Sequence, residues 1–466
     1  MVSRFSRDRA PSGTPRATVS RHDGGAPLDA PATSASGSAG NAPAKPPLTR
    51  EIWVLIAAAF VIAVGYGLVA PVLPQFAHSF DVSVSAAAVV ISAFAFTRLV
   101  FAPMSGAFVE KFGERWVYIA GILIVALSSA ACAFAQDYWQ LLIYRGLGGI
   151  GSTMFTVAAM GLLVRLAPPT GRGRVTSAYA GSFLLGGIAG PAIGGLLAGF
   201  GLQLPFLVYA AALVLAAVVV ATQLHPAIRT ANDARRPEPE VPVRVPPALA
   251  QAAAEPLQRA PGPERVPAPP MAFREALAYG SYRAALVSAF ANGWSAFGIR
   301  MALVPLFATV ALHGGPEVAG LALAVFAIGT GVALTFSGRL ADSWGRKPMV
   351  ISGLVVNTAA MAVLGLTTTI PLFLVVSAIA GIGSGLFGPA QQASVADVIG
   401  NERSGGKVLA AFQMSQDFGT ILGPIIAGAV IDAVSYGPAF AMAAVTGAIA
   451  VGFWLAASET ARTRDS

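Results

Sequence analysis

The segment Gly186-Gly-Ile-Ala-Gly-Pro-Ala-Ile-Gly-Gly195 returns near the other end of the chain as Gly419-Thr-Ile-Leu-Gly-Pro-Ile-Ile-Ala-Gly428, 233 positions later. Three further matches have offsets of 231 or 232: Gly67 and Pro74 with Gly298 and Pro305, Gly106 and Gly113 with Gly338 and Gly345, and Gly149-Ile-Gly-Ser152 with Gly381-Ile-Gly-Ser384. Independent matches at almost one distance indicate that the chain consists of two copies of one unit.

The composition places both copies in a membrane. Of 466 residues, 55% are apolar and only 11% are charged, and the mean hydropathy is +0.68. A soluble protein carries about 25% charged residues, so too few polar side chains are present to cover a surface in water. One cysteine excludes a disulfide framework, and four histidines outside the apolar runs exclude a multi-histidine metal centre. We therefore expect no metal site.

Each copy contains six apolar runs long enough to cross the hydrocarbon, which takes about 20 residues. The runs, numbered as spans 1 to 12, are 53–76, 84–108, 116–135, 140–163, 174–199, 204–224, 285–311, 317–340, 348–368, 371–395, 406–431 and 437–457. The fold class is therefore predicted to be an all-α integral membrane protein with two six-helix halves. Since both halves start on the same side, they form a parallel repeat, which in secondary transporters places the substrate path between the halves.

The basic residues predict the topology and the domain boundaries. The loops after odd-numbered spans contain no Lys or Arg, so both termini are expected in the cytoplasm. This also explains the net charge of +8 without a nucleic-acid partner. The predicted parts are a disordered tail (1–46), an N-terminal half (47–225), a disordered linker (226–270), a C-terminal half (271–458) that opens with an interfacial helix (271–282), and a cytoplasmic tail (459–466).

The segment at 186–195 resembles the antiporter motif of the major facilitator superfamily, G-x-x-x-G-P-x-x-G-G. The matching residues are Gly186, Gly190, Pro191, Gly194 and Gly195 in the first copy, and Gly419, Gly423 and Pro424 in the second, where Ala427 replaces a glycine. That motif is characteristic of drug/proton antiporters in the family, so the resemblance implies export and a conformational role for the segment. Plain helix packing, which small residues favour in membranes, is the alternative for the glycines.

A second resemblance lies in the loops after spans 2 and 8, which match the family's G-x-L-x-D-R-x-G-R-K signature. The matching residues are Gly338, Asp342, Gly345, Arg346 and Lys347 in the second half, and Gly106, Glu110, Gly113 and Arg115 in the first. The second copy departs at Ser343, where the family has Arg, and the first copy has Glu110 for Asp, Lys111 for Arg, and Glu114 where a basic residue is usual. The resemblance implies a latch that holds the halves in the outward-facing state. The alternative is that these basic residues only set topology.

Four ionisable residues lie deep inside spans: Arg98, Arg145, Arg300 and Asp417. Such residues are costly and are functional candidates. Asp417 is expected to be the protonation site of a proton-coupled transporter, and a permanent ion pair with an arginine is the alternative. The resemblance assigns Arg145 to proton coupling, whereas an interhelical hydrogen-bond anchor is its alternative role. Arg98 and Arg300 are expected to face an anionic substrate group in the central path, or else to cap carbonyls.

These features predict a secondary transporter that exports a drug or metabolite at the expense of a proton gradient, without a cofactor. Proton-coupled uptake is the alternative within transport. A polytopic enzyme would need clustered His, Asp or Cys at one face, and an ATP-driven pump would need a G-x-x-x-x-G-K-[ST] loop; neither occurs. The excess of Arg over Lys amid abundant Ala and Gly suggests a bacterial inner-membrane protein, expected to be a monomer.

Overall fold

Long helices make up the fold. The computed structural model describes residues 49–166, 172–224, 270–400, 403 and 405–460. Within these ranges, twelve helices are long and apolar enough to cross a membrane. The uninterrupted ones are spans 2 to 6 (Val84–Phe112, Glu114–Ala133, Tyr138–Leu166, Arg172–Ala198 and Leu204–Gln223) and spans 8 to 12 (Pro316–Trp344, Arg346–Leu364, Ile370–Ile399, Gly406–Ala433 and Tyr436–Ala456).

Spans 1 and 7, which open the two halves, are the irregular ones. Span 1 is divided into Arg50–Val69 and Leu73–His78. Span 7 stays helical but changes winding: Gly280–Asn292 and Arg300–Leu306 are α-helical, whereas Gly293–Ile299 and Phe307–Ala311 are π-helical. The matching segments from Gly67 to Pro74 and from Gly298 to Pro305 lie at these irregular stretches. Proline lacks a backbone N–H, so it removes one hydrogen bond from the helix and favours an irregularity there.

Two glycines explain how adjacent spans turn so tightly at the loop signatures. Gly113 separates spans 2 and 3 with φ of 79°, and Gly345 separates spans 8 and 9 with φ of 101°. Glycine adopts positive φ without the steric cost that a Cβ would add. A single residue therefore suffices to end one helix and begin the next in both halves.

The two halves share one type of contact between spans. The Thr97 hydroxyl donates to the Gly146 carbonyl at 2.6 Å, which ties span 2 to span 4. In the second half, the Thr330 hydroxyl donates to the Gly381 carbonyl at 3.1 Å, which ties span 8 to span 10. The prediction of an all-α membrane protein with twelve spans in two six-helix repeats is confirmed.

The segment before span 7 differs from the expectation of a helix over 271–282. Only Phe273–Ala276 forms a helical turn, and span 7 then begins at Gly280. Met271 and Ala276 are buried, so this turn packs against the protein. The predicted tail 1–46 lies outside the described residues, as does the linker 226–270 except for residue 270, and so do residues 461–466 of the last tail.

Candidate functional site: a path between the two halves

The two halves meet at the face opposite the one where span 1 begins and span 12 ends. We call this the distal face and the other the terminal face. The Asp432 carboxylate, at the end of span 11, accepts the backbone N–H groups of Val84 and Ser85 at 2.9 and 3.0 Å. Deeper in, the Ser92 hydroxyl donates to the Ile421 carbonyl at 2.7 Å. A carboxylate on the first amides of a helix uses both unpaired donors and the positive end of the helix dipole. Spans 2 and 11 are thus joined across the halves.

Spans 5 and 8 close the same face by backbone contact. A Cβ added at Gly195 would lie 2.9 Å from the Pro316 carbonyl oxygen and 3.0 Å from the Gly320 Cα. On the other side, a Cβ added at Gly428 would lie 2.6 Å from the Ser85 Cα. The last glycine of each copy of the antiporter motif therefore lets the two halves approach at the distal face.

The other motif residues pack within their own half. Hypothetical Cβ atoms at Gly186, Gly190 and Gly194 would collide with span 1, and those at Gly419 and Gly423 would collide with span 7. The prolines Pro191 and Pro424 lie against Gly67 and Gly298 of the same two spans. The motif thus combines helix packing inside each half, which was the simpler alternative, with closure between halves through its final glycine.

Toward the terminal face the halves separate. Cβ atoms added at Gly106 of span 2 or Gly338 of span 8 would meet no atom within 4 Å. Arg98 and Gln413 are exposed although both lie well inside their spans, and Asp417 is partly exposed. Spans 2 and 11 pack against each other across the halves, so exposed polar side chains at this depth on both spans indicate an opening that leads from the terminal face into the middle of the protein. The molecule is therefore closed distally and open at the terminal face.

Asp417 occupies this opening on span 11. Its carboxylate accepts one weak hydrogen bond, from the Gln413 side-chain amide at 3.3 Å on the preceding turn. Within the described ranges no Lys or Arg nitrogen lies within 4.0 Å of it, so the alternative of a permanent ion pair is not what the structure shows. Arg98, the exposed cation of span 2, lies in the other half. The two opposite charges thus flank the opening without an ion pair among the described residues.

Arg145 lies at the inner end of the path. It is 6% exposed, and its Cζ lies 4.1 Å from the ring centroid of Phe94 and 5.9 Å from that of Tyr66. It makes no hydrogen bond among the described residues, which argues against the interhelical anchor. It borders a cavity of about 20 Å³ between the halves, lined also by Tyr66, Ala70, Leu73, Ile91, Phe94 and Met301.

Arg300 does not lie where the sequence placed it. It is fully buried inside the second half, with its Cζ 3.7 Å from the Phe326 ring centroid and its Nη2 3.3 Å from the Met361 sulfur. Its Nε and Nη1 have no partner among the described residues. The expectation that it faces the central path is wrong for this conformation. The π-helical turn Gly293–Ile299 precedes it and rotates the residues that follow, which turns Arg300 toward span 9.

The loop signature of the second half forms a network within that half. Arg346 pairs with Asp342 at 2.5 Å and approaches Asp397 at 3.5 Å, while its backbone N–H donates to Glu459. Lys347 donates to the carbonyls of Leu455 and Ala457, at the end of span 12. The polar partners of both residues belong to their own half. The inter-half latch implied by the family resemblance is therefore not engaged in this conformation, and its role stays a prediction.

The first half carries the same pair with exchanged charges. Glu114 and Arg165 form an ion pair at 2.9 Å, and their positions plus 232 are those of Arg346 and Asp397. Arg165 thus compensates the departure at Glu114, and Arg115 instead donates to the Ala221 carbonyl of span 6 at 2.7 Å. Sequence reasoning missed this pair, although the constant offset would have revealed it.

No metal centre emerges from the described part of the chain, where no three His, Cys, Asp or Glu side chains cluster in a way that could hold an ion. Sequence reasoning also missed Asp432 as a site residue, because it lies at the end of span 11 and not deep inside it. Its partners are backbone amides of a distant span, which leave no mark in the sequence. The described site thus consists of Asp417, Arg98 and Arg145 along the path, with Asp432 closing it.

Comparisons with known proteins agree with this architecture. The sequence profile of the Major Facilitator Superfamily matches residues 55–299 and again 285–466. Multidrug resistance protein 2 of Bacillus subtilis is 30% identical over 165 residues, which are 35% of this chain and 41% of that protein. Quinolone resistance protein NorA of Staphylococcus aureus is 26% identical over 195 residues, which are 42% of this chain and 50% of that protein.

The matched stretches thus span half or less of these curated relatives. Among solved structures, a bacterial homologue of the human lysosomal transporter Spinster superposes with a TM-score of 0.67 at 16% identity, covering 87% of this chain and 95% of that one. A D-xylose–proton symporter superposes with a TM-score of 0.66 at 15% identity, covering 89% and 100%. At such identity these structures share the fold alone. With its profile matched in both halves and its twelve spans in two repeats, the chain belongs to the Major Facilitator Superfamily of membrane transporters.

Proposed function

We propose that this transporter is a proton-coupled exporter of small organic molecules in the bacterial inner membrane, with both termini in the cytoplasm. The absence of Lys and Arg from the loops after odd-numbered spans supports that orientation. The complete antiporter motif at 186–195 and the partial matches to proteins named for multidrug and quinolone resistance support export.

With this orientation, the terminal face is cytoplasmic and the conformation is inward-facing. A molecule in the cytoplasm or inner leaflet reaches the opening between spans 2 and 11, while the contacts of Asp432 and Gly428 block passage outward. Transport then requires a second state in which the distal contacts part and the terminal face closes. A transported ligand or proton drives this exchange only through its different affinity for the two states.

The observation that carries the proposal is Asp417, a carboxylate in the opening that no cation of the described residues pairs with. Its charge is accessible from the terminal face in this state, so it can release a proton to the cytoplasm. In the opposite state the same group would take up a proton from outside. Alternating exposure of one carboxylate couples proton entry to substrate exit, provided that substrate and proton compete for the site.

The test is accumulation in inverted membrane vesicles with and without a proton gradient. The substrate panel consists of quinolone antibiotics, lipophilic dyes and small aryl acids. Asp417→Asn is expected to abolish gradient-driven accumulation and to leave downhill exchange measurable. The control is Asp137→Asn, since Asp137 accepts only the Gln140 backbone N–H within its own helix start. Accumulation by the Asp417→Asn protein at the wild-type level would contradict the assignment.

The same vesicles distinguish export from proton-coupled uptake. An exporter accumulates substrate in inverted vesicles that are acidified inside, since protons leaving through the carrier move substrate in. An uptake system accumulates substrate in right-side-out vesicles instead. Accumulation only in the latter would replace export by uptake and leave the role of Asp417 intact.

A further inference from the structure

Arg145 is a buried cation that has no counterion among the described residues. It lies in span 4 and is 6% exposed, and its Nε has no hydrogen-bond partner. Among the described residues its close contacts are the faces of two aromatic rings, Phe94 at 4.1 Å and Tyr66 at 5.9 Å. A charge at this depth is normally paired with a carboxylate or with carbonyls, since desolvation costs several kcal/mol. The guanidinium therefore lacks the anion that its position calls for.

The guanidinium borders a space into which a ligand group fits. The adjoining cavity has a volume of about 20 Å³ and includes Met301 of span 7 among its lining residues, so both halves contribute to it. That volume holds about one water molecule, or the end group of a larger molecule that occupies the opening below. The Cζ of Arg145 lies over the Phe94 ring, and its Nε has no hydrogen-bond partner among the described residues, so the guanidinium has donor capacity left for a ligand.

The other charges deep in the protein do not neutralise Arg145. Asp417 is the acid in the opening, and it forms no ion pair within the described residues, while exposed Arg98 adds a second cation to the path. Arg300 is buried elsewhere, against Phe326. The path thus carries two cations against one carboxylate. A cationic ligand would raise this excess, whereas an acidic group would cancel it.

We propose that Arg145 binds an acidic group of the transported molecule, so that the substrates are zwitterions: a free carboxylate meets Arg145, and a cationic group competes with the proton for Asp417. This inference rests on the proposed transport function and adds the substrate class to it. A guanidinium edge matches a carboxylate with two parallel N–H···O bonds. Lysine would offer only a point charge at the same place, so the paired N–H donors of the guanidinium matter as well as its charge.

The experiment compares two probes of one shape, 1-naphthylacetate and 1-naphthylacetamide, for binding to the purified full-length protein. The wild type is expected to bind the anion at least tenfold more tightly than the amide. Arg145→Gln is expected to weaken binding of the anion tenfold or more and to change binding of the amide less than twofold. Arg145→Lys is expected to fall between. Arg274→Gln, which removes an exposed cation from the turn before span 7, controls for a general effect of net charge.

Equal binding of both probes by the wild type, tighter binding of the amide, or no binding of the anion overturns the proposal. Equal weakening of both probes by Arg145→Gln also overturns it, because that pattern indicates a structural role. If the Gln variant does not fold, the wild-type preference and the Lys variant still decide the question. Proton-driven transport without a preference for the anion refutes only this inference, whereas a preference for the anion without gradient-driven transport refutes only the proposed function.

Discussion

Replacing Asp432 by Asn is expected to open the distal face. The carboxylate joins the halves through the amides of Val84 and Ser85 at 2.9 and 3.0 Å. Hydrogen bonds to a charged group contribute about 1.5–3 kcal/mol each when well shielded. Asp432 is exposed, and Asn retains one acceptor oxygen, so we expect a loss of about 1–2 kcal/mol in total. Because about 1.4 kcal/mol corresponds to a tenfold change in an equilibrium constant, the distally open population should rise by about 5- to 30-fold.

The assay is pulsed electron paramagnetic resonance between spin labels on the distal loops of the two halves. Gln203 and Thr368 are exposed there and serve as label sites, in a background where the buried Cys132 is replaced by Ser. The Asp432→Asn protein should gain a population at longer distance. Asp137→Asn removes an acid from the same face whose one recorded hydrogen bond, among the described residues, stays within its own half, and it should leave the distances unchanged. Identical distance distributions for Asp432→Asn and the wild type would refute the role of Asp432 in closing the distal face.

Three further outcomes are expected. Arg165→Asp should lower the melting temperature in detergent because it places an acid opposite Glu114. Adding Glu114→Arg should restore about 1 kcal/mol of stability, because the double variant reproduces the arrangement of the other half. A double variant no more stable than the single one would contradict this. Gly428→Val should reduce distal closure in the same distance measurement, because its Cβ would collide with span 2; unchanged distances would contradict the close approach. Two hydrogen bonds from Arg403 hold the pKa of Glu275 below its usual range. Their stabilisation is therefore present at neutral pH and is lost as the pH falls through that lowered pKa. Glu275→Gln should lower the melting temperature at pH 7, and the difference in melting temperature from the wild type should vanish in acid; a difference that persists in acid would contradict this.

The spans and the glycine motifs could be predicted because their causes are local. Apolar runs of about 20 residues must cross the hydrocarbon as helices, and the repeat at 231–233 residues fixed the grouping into halves. The turns at Gly113 and Gly345 follow from their positive φ, which only glycine adopts without strain. Each of these features depends on residues close together in the chain.

Features that depend on distant spans or on irregular helix winding could not be predicted. The role of Asp432 depends on backbone amides about 350 residues away, and backbone groups carry no sequence signal. The direction of Arg300 depends on the π-helical turn before it, which shifts the side-chain register away from the α-helical period that sequence reasoning assumes. The pair Glu114–Arg165 was predictable in principle, because its positions match Arg346 and Asp397 at an offset of 232.

The central claim is that Asp417 carries the transported proton, and proton release on substrate binding tests it most directly. Purified protein in weakly buffered detergent solution, with a pH-sensitive dye, is mixed with a substrate found in the vesicle assay. If substrate and proton compete for the carboxylate, the wild type should release protons in proportion to bound substrate, and Asp417→Asn should bind substrate without release. Release of the same number of protons by Asp417→Asn as by the wild type would contradict the claim.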